Sequence, residues 1–252
     1  NGDMDNENKP RMDYDTDTNL VSDVRLKRYL RDYFEKALGK PIFITQKAED
    51  SKDRAKQLKK ADLEYTDLID VKLFGAVYAA KGGNEHLTGP VQFNWGYSLN
   101  PVEICESSTI TSSFSSGEGV GKDFRVKYSL IAFNGSINAH IAEYTKLSED
   151  DIELFDKAMV KSIPFSRTRS KTGQTPRLYI RVETDDDTFL KDLREYVDLN
   201  YSVADFKVRN IDEINLDLEN LKNYLRHNSS KIKRIYYWID EKLNIENCDE
   251  IC

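Results

Sequence analysis

At 252 residues and 29.1 kDa, the chain is long enough to bury a sizeable core, as one large domain or as a domain carrying excursions. With 37 Lys and Arg against 44 Asp and Glu its net charge is −7, so any basic surface has to be a local one. No apolar run approaches the ~20 residues of a membrane helix and no signal peptide opens the chain. The three cysteines, Cys105, Cys248 and Cys252, lack metal-ligand spacing. A cytoplasmic protein with reduced cysteines, no cofactor and no membrane partner is expected.

The segment from Asn1 to Asp17 reads as a polar loop with carboxylates at Asp3, Asp5, Glu7, Asp13, Asp15 and Asp17. An EF-hand would need Gly at the sixth position and Glu at the twelfth. Counted from Asp3 those places hold Asn8 and Tyr14, and from Asp13 they hold Thr18 and Val24, so a solvated loop is the better reading. A first helix is capped by Asp23, carries Leu26, Leu30, Tyr33, Phe34 and Leu38 at helical spacing, and stops at Gly39 before Pro41,. Its outer side carries Arg25, Lys27, Arg28 and Arg31. Lys47 to Lys60 is charged with little apolar periodicity, an exposed helix or mobile insertion. Asp70 to Tyr78 reads as a buried strand.

Between Lys81 and Lys122, β-type segments are joined by a tip rich in Ser, Thr and Gly around the single aromatic Phe114, which suggests an extended hairpin,. Gly117, Gly119 and Gly121 hint at a phosphate cradle, but Lys122 is followed by Asp123, so the Walker ending Gly-Lys-Ser/Thr is missing. Phe124, Val126, Tyr128, Leu130 and Ala132 alternate as on one strand face,. A second helix starts behind Ser148, with Glu149, Asp150 and Asp151 in its first turn and Ile152, Phe155 and Met159 as its stripe, and runs out at Pro164,.

The stretch Lys157 to Arg181 carries seven cations and no carboxylate, leaving 30 cations against 44 carboxylates elsewhere. In its middle, Ser166 to Gln174 interleaves Arg167, Arg169 and Lys171 with Ser170 and Thr172, which together offer charge and short donors to phosphate oxygens,. The plain alternative is a solvated basic loop closed by Gly173 and Pro176. Beyond it, Leu178, Ile180 and Val182 alternate with Arg177, Tyr179 and Arg181 in a strand. Asp185, Asp186, Asp187 and Thr188 read as the cap of a helix through Val197. Near the end come a helix around Asp217 to Arg226 and a strand Ile232 to Ile239.

Helix, strand, excursion, strand, helix, strand becomes βαββαβ once a strand is placed ahead of Asn1, the split unit used by RNA-recognition domains. In that topology the first strand lies inside the sheet. Residues ahead of Asn1 are therefore expected in the natural protein.

Asn1-Gly2-Asp3 with Pro10-Arg11, Asp23 with Lys27-Arg28 and Arg31, Asp70 to Ala76, Gly89-Pro90-Val91-Gln92-Phe93, and Arg169-Ser170-Lys171 with Pro176-Arg177-Leu178-Tyr179 resemble the "Cas seven" family in its type I-B form, the repeated backbone subunits of CRISPR Cascade complexes. The resemblance runs to about Glu183. It implies an α+β, ferredoxin-like palm (βαββαβ) as a single domain over 1–252, with fingers at 41–69, a thumb hairpin at 92–122 and a C-terminal α/β extension at 184–252. It also implies crRNA held along a filament of copies, target DNA recognised by guide pairing, other Cascade subunits as partners and no catalytic role. The strand from Phe124 to Phe133 lacks the aromatic motif of ordinary RNA-recognition domains, so backbone contacts are expected to dominate.

The expected RNA contacts are Lys27, Arg28, Arg31, Arg167, Arg169, Ser170, Lys171, Gln174 and Arg177, with Phe114 as a wedge at the hairpin tip. A rival reading is an endoribonuclease using His140 as general base, or Asp3 with a metal. Another is a protein-interaction module with a basic loop.

Overall fold

The computed structural model describes residues 2–80, 83–105, 109–111, 120–168, 170–185 and 187–246. The N-terminal segment is not a solvated loop. It forms β1 (Gly2–Asp3), β2 (Lys9–Asp13) and β3 (Thr18–Val21), with β1 and β3 each antiparallel to β2. The short turn is closed by Glu7 and Asn8 at φ 51° and 61°, and Arg11 pairs with Asp3 at 3.2 Å. The alternating acids therefore mark turns and strand ends.

Helix α1 (Asp23–Asp32) follows, continued by a π-helical turn, Tyr33–Ala37. Ser22 is its N-cap and Asp23 lies in its first turn, where a carboxylate meets the positive end of the helix dipole,. Leu26, Tyr29, Leu30 and Phe34 are buried. Helix α2 (Ser51–Lys60) is capped by Asp50, which accepts from the Asp53 amide, and only Leu58 is buried in it. Residues 70–74, expected as strand, lie in α3 (Ile69–Phe74), and only from Gly75 does the chain become β4 (Gly75–Ala80). Gly75 makes that switch at φ 75°, where a Cβ would lie 2.0 Å from the Leu87 carbonyl oxygen, so only glycine fits. Strand β5 (Gly83–Thr88) pairs with β4.

Strands β6 (Val91–Phe93), β7 (Gly96–Ser98), β8 (Thr109–Thr111), β9 (Val120–Lys122), β10 (Ile131–Ala132) and β11 (Gly135–Ile137) come next. Strands β8 and β9 pair antiparallel, while β6 and β7 of the range expected as a hairpin pair with β11 and with β3 and β10, and residues 112–119 lie outside the described residues. The long strand expected from Phe124 is reduced to β10 and one bridge, Val126 to Ile104. Pro101 has no N–H to give to a ladder. The buried Asn100 side chain stands in: its Oδ1 accepts from the Leu130 amide at 2.8 Å, and its Nδ2 donates to the Tyr128 and Pro101 carbonyls.

Helices α4 (Ala139–Thr145) and α5 (Glu149–Phe165) follow, the latter opened by a capping box between Ser148 and Asp151. Strand β12 (Leu178–Thr184) then leads not to a helix but to a 3-10 turn, Leu193–Tyr196, and β13 (Asp198–Tyr201). Arg194 holds that segment out of helix. Its guanidinium donates to the Trp95 and Ala132 carbonyls, binds Asp192 and lies 4.2 Å over the Tyr97 ring. Strand β14 (Ile214–Asp217), helix α6 (Glu219–His227), strand β15 (Ile232–Ile239) and strand β16 (Asn244–Glu246) follow within the described residues.

Among the described residues the largest sheet has the order β1–β2–β3–β7–β10, β13–β14–β16 form a second, and β12–β15, β6–β11, β4–β5 and β8–β9 are two-stranded. One core gathers α1, α3, α5 and β6 around Leu30, Phe34, Leu73, Val91 and Phe155. A second gathers the C-terminal elements around Ile211, Leu216, Leu218 and Leu221. No described helix is long and apolar enough to cross a membrane.

Candidate nucleic-acid interface

The loop after α5 is folded by its own backbone. The Thr168 carbonyl accepts from the amides of Lys171 and Thr172 at 2.9 and 2.8 Å and from the Thr172 hydroxyl at 2.8 Å. The Gln174 amide reaches the Lys171 carbonyl, and Gly173 turns the chain at φ 89° with nothing within 4 Å of an added Cβ. Ser170, Thr172 and Gln174 are exposed along this turn, as is Arg167 ahead of it.

A side-chain bond docks the loop on α1. The buried Tyr29 hydroxyl donates to Gln174 Oε1 at 2.7 Å. Arg25, one turn earlier, lays its guanidinium 4.1 Å over the Tyr29 ring, and its buried Nε has no acceptor. Burial, then the positive charge of nearby Arg25, hold the Lys171 ammonium below the usual lysine range. Among the described residues no carboxylate pairs with Arg25, Arg167 or Lys171. Neighbouring cations partly withdrawn from water are costly unless an anion joins them.

The other basic candidates have internal partners. Lys27 binds Asp23 at 3.0 Å, and Arg28 binds Asp32 at 2.6 Å and the Ile44 carbonyl at 3.0 Å. Arg31 binds Asp70 at 2.9 Å, and Asp70, 1 % exposed, also accepts from the amides of Phe43 and Ile44. The Asp32 carboxyl, although burial pushes it up, ends below its usual range because Arg28 and Lys36 bind it. Arg177 pairs with Asp240. Arg181 pairs with Asp156, which also accepts from Tyr179, so the polar face expected on β12 is largely neutralised. The structure thus sets Ser170, Lys171 and Gln174 on one turn docked on α1, with Arg25 near Lys171, leaves Arg167 exposed ahead of that turn, and sets Lys27, Arg28, Arg31 and Arg177 in ion pairs. Arg169 and Phe114 lie outside the described residues.

At the foot of the hairpin Lys122 reaches Glu7 at 3.1 Å, tying β9 to the N-terminal turn. His140 is exposed at the start of α4, where its amide bonds Asn138, and Asp3 is engaged with Arg11. Among the described residues no three His, Cys, Asp or Glu lie close enough to hold a metal.

Comparison with known proteins fits this picture of one long α+β chain with a folded basic loop. The family model "CRISPR-associated protein Cas7" matches residues 1–219. The chain belongs to the Cas7 family. A curated relative described as CRISPR-associated protein Cas7, from Haloferax volcanii, is 30% identical over 292 residues, covering 99% of this chain and 85% of the relative. A solved chain titled "CRISPR RNA-guided surveillance complex" superposes with a TM-score of 0.53 at 16% identity, covering 91% of this chain and 82% of its own, which shows a shared fold. Another, titled as the same complex before nicking, has a TM-score of 0.49 at 12% identity, covering 94% of this chain and 92% of its own.

Arg25 of this Cas7-family chain, beside the turn but not among the expected contacts, is a further candidate. Its signal was local: Lys27 and Arg28 each have an acid four residues away, at Asp23 and Asp32, whereas Arg25 has Val21 and Tyr29,.

Proposed function

We propose that this chain is a crRNA-binding backbone subunit of a type I-B CRISPR interference complex, with a structural rather than catalytic role in the cytoplasm. The observation that carries the reading is a folded turn with Ser170, Lys171, Thr172 and Gln174 docked on α1, with Arg25 on that helix, Arg167 exposed ahead of the turn, and no described carboxylate paired with any of the three cations. Membership of the family and the fold shared with a chain of an RNA-guided surveillance complex support it. A guide carries many spacer sequences, so its holder has to grip phosphates and riboses and leave base edges free to pair with target DNA. Short hydroxyls and cations do that without reading sequence.

In this reading Arg25, Arg167, Arg169, Ser170, Lys171 and Gln174 contact the guide backbone. Lys27, Arg28, Arg31 and Arg177 shape the surface beneath, and reach RNA only if their internal bridges open. Copies repeat head to tail, a contact that does not close into a ring, so RNA length sets the number of copies. The β8–β9 pair within 92–122, with Phe114 between its strands in the sequence, wedges the guide against a neighbouring copy, and other subunits cap the filament.

The test is charge reversal in the loop. Arg167→Glu with Lys171→Glu should weaken binding to two guides of unrelated spacer sequence by the same factor, and lower the salt slope by about 0.7 for each phosphate that is no longer neutralised. Unchanged affinity, or a loss that depends on the spacer, would sink this assignment.

A further inference from the structure

Away from the basic turn, an open notch of about 420 Å³ lies between the 3-10 turn Leu193–Tyr196 and helix α6, within the roughly 300–1,000 Å³ typical of ligand sites. The helix supplies Asn220, Asn223, Tyr224 and His227, whose spacing sets them on one face,. The turn supplies Glu195 and Tyr196. Two contacts fix these walls against each other. The Tyr196 and Tyr224 rings stack with centroids 4.2 Å apart and 17° between their planes, and the Tyr224 hydroxyl oxygen accepts from the Lys191 amide at 2.9 Å. The notch is therefore formed before any ligand arrives.

The bonds around it decide which atoms are left over. A carboxylate only accepts, so Asn220 turns its NH₂ to Asp198 at 2.8 Å and Asn223 turns its NH₂ to Glu219 at 3.4 Å, which leaves both Oδ1 atoms as acceptors. A carbonyl likewise only accepts. His227 Nδ1, 2.8 Å from the Asn223 carbonyl oxygen, therefore carries the proton, and in the neutral ring Nε2 is a lone pair,. Glu195 is exposed and pairs with no described cation. The notch thus offers two amide oxygens, an imidazole lone pair and a carboxylate, beside aromatic rings and at the last turn of a helix, where the dipole favours positive charge,.

A set dominated by acceptors calls for a cation rich in donors. An ammonium brings three donors to a point, whereas a guanidinium brings five in a plane that lies flat on an aromatic ring. We propose that this notch binds a guanidinium group, presented as an arginine side chain by a partner polypeptide. Glu195 is its counter-ion, the acceptors of Asn220, Asn223 and His227 take its outer N–H groups, and the stacked tyrosines lie against its plane. The notch is open and larger than a guanidinium, so it admits the stem and the chain that carry it. It shares no residue with the basic turn, so the proposal stands whether or not that turn binds RNA.

Nuclear magnetic resonance on the full chain tests it with an acetylated and amidated Gly-Arg-Gly peptide, the same peptide with citrulline in place of arginine, and propylguanidinium. The arginine peptide should move the His227 ring signals and those of Glu195, Tyr196 and Tyr224 along a saturating curve. The citrulline peptide, alike in shape but uncharged, should bind about tenfold more weakly or worse. Propylguanidinium should also bind more weakly, because it lacks the chain. Glu195→Gln, a change at an exposed position, should keep the melting temperature and weaken the arginine peptide by about three- to fivefold. No shift at the notch with the arginine peptide at millimolar concentration, equal binding of the citrulline peptide, or unchanged affinity in Glu195→Gln would overturn the proposal. Propylguanidinium binding as tightly as the peptide would overturn it too, by assigning the notch to a free cation.

Discussion

The basic face of α1 and the turn after α5 have similar compositions and opposite electrostatics. Lys27, Arg28 and Arg31 are three cations within five residues, yet each is held by a carboxylate at 3.0 Å or less. Arg25, Arg167 and Lys171 are spread over two elements, and no described carboxylate meets them. A cation already paired with an acid contributes little attraction for a passing polyanion, because the pair's field decays as that of a dipole. Pairing, rather than the number of Lys and Arg, decides where a polyanion can lie.

The sharpest way to break the contrast is at Asp70. It is buried, binds Arg31 and accepts two backbone amides from the segment that follows α1. Asp70→Ala strands the Arg31 guanidinium and two N–H groups, so a loss of about 3–5 kcal/mol is expected. For a chain of this size that is a fall of about 10 °C in melting temperature. Lys171→Glu replaces an ammonium repelled by Arg25 with a carboxylate of opposite charge, so stability should hold or rise,. A thermal melt of both variants checks the pair of claims, and equal destabilisation would erase the distinction between a structural and a binding cation.

The same contrast separates what was legible in the sequence from what was not. The helix from Glu149 and its capping box, the strand Ile232 to Ile239 and the basic turn were all readable, because caps, alternation and charge runs are local. The i,i+4 acids beside Lys27 and Arg28 were equally local, and they already mark those two cations as paired. The Arg31–Asp70 bridge was not readable, since its partners are 39 residues apart. Nor was the break at Asn100–Pro101, where a side chain replaces ladder bonds across 30 residues, or the α3-to-β4 switch, which depends on how closely Gly75 approaches Leu87. The acidic N-terminal segment pairs mostly with itself, β1 with β2 and β2 with β3, and only β3 reaches a distant partner, β7; its polar residues carry no apolar alternation to announce those strands.

A milder intervention acts on the tie between the two regions. Tyr29→Phe keeps the ring under Arg25 and removes only the hydroxyl that Gln174 accepts. A loss of about 1 kcal/mol is expected, together with a several-fold weaker grip on RNA as the turn loses its fixed distance from Arg25. Fluorescence anisotropy with a labelled guide measures the second effect. Affinity unchanged in Tyr29→Phe would mean that the turn is positioned by its own backbone alone.

The smallest expected effect is a pH dependence assigned to Lys171. Burial and the Arg25 charge depress its folded-state pKa below the usual lysine value of about 10.4. Between the folded and unfolded values the unfolded chain binds more protons, so Lys171 makes stability rise with pH, and that contribution is lost as pH falls through the folded pKa. A phosphate beside the ammonium works the other way by favouring the charged form, so RNA binding takes up a proton once pH exceeds the free-state pKa. Affinity should therefore fall as pH rises through the alkaline window between the free and bound pKa values, by no more than about tenfold per unit. Lys171→Arg keeps its charge across that window because guanidinium does not titrate there. Guide-binding curves at several alkaline pH values should thus slope for the natural chain and flatten for Lys171→Arg. An identical slope in both would place the titrating group elsewhere and remove Lys171 from contact with the phosphate.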